Sequence, residues 1–123
     1  MVSKVRSQRI ADRIHQDLSE ILIKEIHDPR LKGIFITDVD VDRELAYAKI
    51  YISALEGEKR AKEVLAALEH AQGYLRTELA RRIELRVFPR LRFLWDPTPE
   101  RAEKIEQLLA SIHQEDQPEN KGE

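Results

Sequence analysis

The sequence predicts a single α+β domain in which a three-stranded sheet carries helices on one face. Three observations lead there. Apolar residues recur at steps of three and four within the first 26 residues and again from about 59 to 83, the spacing of one buried helical face. Two stretches, Ile34–Asp42 and Tyr47–Ser53, are instead alternating or rich in β-branched residues and lie four residues apart, as in an antiparallel hairpin. A third alternating stretch, Arg90–Asp96, stands alone between helical patterns. At 123 residues there is room for one modest core and not for two.

The expected order is helix, strand, strand, helix, helix, strand, helix. The first helix, about Ser3 to Ile26, buries Ile10, Ile14, Leu18, Ile21 and Leu22. At ~100° per residue, Arg6, Arg9 and Arg13 gather on another face of it. It stops before Asp28-Pro29, because a residue preceding proline is pushed out of the helical region. In the first strand Val39 and Val41 face one way, Asp38, Asp40 and Asp42 the other, and Ile36 is slightly out of phase. A helix from about Lys59 to His70 buries Ala61, Val64, Leu65 and Leu68. Gly73 then interrupts the pattern, and a glycine inside a helix costs ~1 kcal/mol against alanine, so the stripe Leu75, Leu79, Ile83 reads as a second helix beginning just after it. The third strand has Pro89 at its entry. The last helix takes Thr98 as N-cap and Pro99 as its first residue, with Ile105, Leu108, Leu109 and Ile112 apolar. The expected core is Ile14, Leu18, Leu22, Val41, Ile50, Ile52, Leu65, Leu68, Leu79, Phe93 and Leu108, and Tyr51 and Trp95 are expected to pack. Residues 1–113 make the domain, and 114–123 are too polar to pack and should be a disordered acidic tail.

Composition excludes several classes of function. With 41% hydrophobic and 36% charged residues, the chain has the balance of a soluble globular protein. No apolar run approaches the ~20 residues of a membrane span, and the charged N-terminus lacks the apolar core of a secretory signal, so a cytoplasmic location is expected. The absence of cysteine removes disulfides, thiol nucleophiles and thiolate metal sites. "DVDVDRE" has aspartates at every second place, but a calcium loop needs glycine at its sixth position, where Arg43 stands. The four histidines lack zinc-site spacing, no serine sits in a nucleophile elbow, and the glycines form no phosphate loop. No enzyme, metal or cofactor is expected.

The net charge of −2 hides its distribution. Residues 70–95 hold Arg76, Arg81, Arg82, Arg86, Arg90 and Arg92 against Glu78 and Glu84, whereas residues 96–123 carry eight acids against three bases. Arginine's planar fork suits phosphate better than lysine's point charge. Arg81 points away from the Leu75/Leu79/Ile83 stripe, and Arg86 and Arg90 carry the charge into the following loop. A helix starting after Gly73 would add free amides and the positive end of its dipole to the same anion-binding surface.

The expected order resembles the type II KH domain, an RNA-binding fold whose GxxG loop clamps the RNA backbone. Here Ala71-Gln72-Gly73 stands at that junction, similar to the Ala-x-Gly of the bacterial ribosome-binding factor A family. "RSQRIADRIHQDLSEILIKEIHDPRL", "ELAYAKIYIS" and "RVFPRLRFLWD" resemble that family's first helix and its exit, its second strand and its third strand, so the likeness spans about residues 5–113. Arg101-Ala102 departs from it, standing where the family often has a glycine before its last helix. The resemblance implies a non-enzymatic, cofactor-free, monomeric assembly factor. It would bind the immature small ribosomal subunit, assist 5′-end processing of the subunit's RNA, and matter most in the cold. It implies RNA contacts at Arg6, Arg9, Arg13, Gln72, Gly73, Arg76, Arg81, Arg82 and Arg86. The acidic end would disfavour indiscriminate RNA binding. The rival is a protein-interaction module docking an acidic partner such as a ribosome-associated GTPase.

Overall fold

The structure, a computed structural model, describes residues 1–116. Helix α1 spans Lys4–Lys24, strand β1 Ile34–Val41, β2 Tyr47–Ala54, helix α2 Ala61–Arg82, β3 Arg90–Trp95 and α3 Thr98–Asp116. The three strands lie in the order β1-β2-β3. The first two form the expected antiparallel hairpin, and β3 runs parallel to β2 with α2 as the crossover.

Local chemistry explains the boundaries. The Ser3 hydroxyl accepts the Arg6 amide at 3.0 Å and caps α1, as serine does at helix starts. The Asp28 carboxylate accepts the Arg30 amide and opens a 3-10 turn at Pro29–Leu31, so the chain reverses there. Between the strands, Asp42 Oδ1 accepts the amides of Ala46 and Tyr47 and holds the tight turn. The phase slip at Ile36 is a bulge: Ile36 pairs with Ile52 and Asp38 with Tyr51, leaving Thr37 as the extra residue.

The core lies between the sheet and the pair α1 and α2. Ile14, Leu18, Ile50, Ile52, Leu68 and Leu79 are wholly buried, Val41 and Phe93 nearly so, and Leu22, Leu65 and Trp95 are half-buried against them.

Two expectations are overturned. First, there is no helix junction at Gly73: α2 is one helix of 22 residues that runs straight through it. The reason is phase. Val64, Leu68, Leu75 and Leu79 all face the sheet from one continuous helix, and burying such side chains stabilises by ~1.5–3 kcal/mol each, which outweighs the glycine penalty. Second, Leu108 is not in the core. Ile105, Leu108, Leu109 and Ile112 are 55–64% exposed, and α3 carries its apolar stripe into solvent. Its start also differs: Thr98 is already the first residue of α3 rather than its N-cap, and the Asp96 carboxylate two residues earlier accepts the Thr98 amide at 2.9 Å. As for the acidic tail, α3 extends as far as Asp116, and residues 117–123 lie outside the described residues.

Candidate nucleic-acid interface

The face of α1 away from its core stripe carries Arg6, Arg9 and Arg13, all exposed. Where α2 ends, the chain turns back past α1, and Ile83 and Leu85 lie beside Ile10. These residues line a shallow groove with an aliphatic floor and three guanidinium groups at its rim, with Glu84 the one acidic member. Among the described residues, the side chains of Arg6 and Arg9 make no hydrogen bond or ion pair, whereas Arg13 pairs with Asp17 at 2.9 Å and donates to the Arg82 carbonyl. Arg86 follows in the same loop and is exposed beside Val87.

The remaining residues expected to bind RNA fall into a different chemical condition. Arg76 donates to the Phe88 and Pro89 carbonyls, and Gln72 donates to the Leu91 carbonyl, so both hold the segment leading into β3 against α2. Arg82 lies between two acids at the end of α1, pairing with Glu20 in its last turns at 3.0 Å and with Glu25 just beyond it. The Tyr74 hydroxyl donates to the same Glu25 carboxylate, which pushes the phenol pKa up. Arg81 points outward, 72% exposed, with only Glu78 as a partner among the described residues. Gly73 lies on the exposed side of α2, and a Cβ placed there meets nothing within 4 Å. The unpaired amides expected at Gly73 are absent, because the first turn of α2 is at Ala61, about 18 Å back along the helix.

The structure thus divides the nine residues. Arg6, Arg9 and Arg13 meet around one groove, Arg86 is exposed farther along the loop that forms its other side, Arg81 and Gly73 lie on the outer face of α2, and Gln72, Arg76 and Arg82 are engaged within the fold. Sequence reasoning missed the groove floor. Its one signal was the alternation of Ile83 and Leu85 just beyond the helix. No group of three or more His, Cys, Asp or Glu side chains able to hold a metal occurs among the described residues.

A model of the ribosome-binding factor A family matches residues 6–109, which includes every part of this site. The chain belongs to the ribosome-binding factor A family. A ribosome-binding factor A of Staphylococcus carnosus is 36% identical over 115 residues, which cover 94% of this chain and all of that one. Another, of Shewanella loihica, is 40% identical over 108 residues, 87% of this chain and 77% of that one. Among solved structures, a crystal structure of ribosome-binding factor A from Thermus thermophilus superposes with a TM-score of 0.65 at 28% identity, over 72% of this chain and 93% of that one. A homology model of the Thermus thermophilus factor, fitted into a cryo-EM map of a 30S complex, superposes with a TM-score of 0.56 at 31% identity, over 68% and 87% of the two chains. The fold expected from the sequence therefore stands, with its two middle helices merged into one.

Proposed function

We propose that this protein binds the immature small ribosomal subunit through its RNA and assists late maturation, including 5′-end processing, with its greatest importance in the cold. It does so by binding alone, as a single copy, without a cofactor or a catalytic step. The observation that carries the reading is the Arg6/Arg9/Arg13 groove. Exposed guanidinium groups gathered on a rigid helix, two of them without partners among the described residues, form a surface suited to a phosphate backbone. The family's fitted 30S complex supports the same reading.

Direct phosphate contact rests with Arg6, Arg9, Arg13, Arg81 and Arg86. Gly73 lets the backbone of RNA come close to α2, because no side chain stands over it. Gln72, Arg76 and Arg82 act by holding α1, α2 and the loop before β3 in place.

The rival partner is an acidic ribosome-associated GTPase, and salt and nuclease separate the two. Binding that neutralises several phosphates weakens steeply and log-linearly with salt, and a complex held by RNA falls apart on nuclease digestion. Co-sedimentation that survives nuclease, or that is flat in salt, would contradict the RNA reading.

A further inference from the structure

Among the described residues, α3 is the one helix whose apolar stripe is left mostly exposed. Ile105, Leu108, Leu109 and Ile112 recur at the spacing of a single face, and all four are more than half exposed. The helix is nonetheless firmly based. The Thr37 hydroxyl at the β1 bulge donates to the Asp96 carboxylate at 2.6 Å, Asp96 caps Thr98, and the Glu58 amide donates to Glu100 at 2.9 Å. Gly57, at a φ of 88°, lets the chain turn under Glu100, where a Cβ would run into its carboxylate. The 19 residues of α3 thus project from a fixed base over a length of about 28 Å.

We propose that this stripe is a second contact with the small ribosomal subunit, made to a basic protein that offers an apolar groove. This rests on the reading under Proposed function. Charge decides the class of partner. The segment from Asp96 to the end carries eight acids against three bases, so an RNA surface would repel it, whereas a basic protein complements it. Aliphatic side chains at helical spacing need a greasy groove, which phosphates and sugars do not provide and a protein does. The arginine groove and α3 therefore divide the work, with RNA read on one side and protein on the other.

The test uses the full chain and purified immature small subunits. Leu108→Glu with Ile112→Glu should leave the melting temperature unchanged, since neither side chain packs on the domain, and should weaken subunit binding about tenfold or more, as expected when central anchors of an interface are lost. Binding to naked small-subunit RNA should stay the same. A photo-cross-linking residue at Leu109 should join the chain to a basic subunit protein. Unchanged subunit affinity, a cross-link to RNA, or a cross-link to a second copy of this chain would each overturn the inference. If the unaltered protein failed to bind subunits at all, the reading beneath it would fall instead.

Discussion

Arg81 and Arg82 are neighbours in sequence, yet the structure predicts opposite outcomes when each is replaced by alanine. Arg81 is 72% exposed and meets Glu78 at 3.2 Å one turn away. A pair of that kind contributes a few tenths of a kcal/mol, so Arg81→Ala should change stability by less than ~0.5 kcal/mol. Arg82 is 27% exposed and joins α2 to both Glu20 of α1 and Glu25, the residue that follows α1. A charge-assisted hydrogen bond contributes ~1.5–3 kcal/mol when shielded. Glu25 is 29% exposed and Glu20 50%, so the first bond belongs near the bottom of that range and the second near a surface pair. Together they give ~2 kcal/mol for Arg82→Ala, a fall in melting temperature of about 6–10 °C for a domain of this size. Urea unfolding followed by circular dichroism measures both variants, and an unchanged slope confirms that the same surface unfolds. Equal shifts for the two variants would refute the reasoning. A Glu25→Gln variant closes the cycle, since its effect should shrink once Arg82 is gone.

Other outcomes follow from the same geometry. Gly73→Ala fills open space in a regular helix and should raise stability by ~0.5–1 kcal/mol while weakening subunit binding if RNA approaches α2 there; thermal melting and co-sedimentation read the two effects separately. Leu68→Ala should cost ~2–5 kcal/mol because the side chain is wholly buried, whereas Leu108→Ala should leave the denaturation midpoint in place. The Asp96 carboxyl is held below its ordinary range by the Thr37 hydroxyl, then by the Thr98 amide. A group depressed in the folded state stabilises it above the unfolded pKa, and that contribution is lost as pH falls through the folded value. Asp96→Asn should therefore lower the melting temperature at pH 7 and lose less on acidification than the parent, as thermal melts at pH 7 and pH 3 would show.

Much of the fold was legible because period and polarity agree in α1, β2 and β3. Ile14 and Leu18 lie at helical spacing and are buried, and Leu91 and Phe93 alternate with Arg90 and Arg92 and are buried on schedule. Gly73 misled because local propensity argues for a break, while the decisive term is burial of Leu75 and Leu79 on a sheet distant in sequence. Leu108 misled for the converse reason: the α3 stripe has the right period, but periodicity cannot say whether a partner lies in the same chain. The arginines on α1 and in the 70–95 segment were visible as charge. Which of them stay free was not, because Glu20 and Glu25 engage Arg82 across 62 and 57 residues, a pairing that only the packed helices reveal.

The measurement that tests the central claim most directly is the affinity for purified immature small subunits of the unaltered protein and of Arg6→Glu with Arg9→Glu, each at two salt concentrations. Both side chains are exposed and without partners among the described residues, so the variant should melt as the parent does. The account predicts tight, salt-sensitive binding for the parent, with large loss and a shallower salt slope in the variant. Equal affinity and equal slope in the two proteins would contradict it.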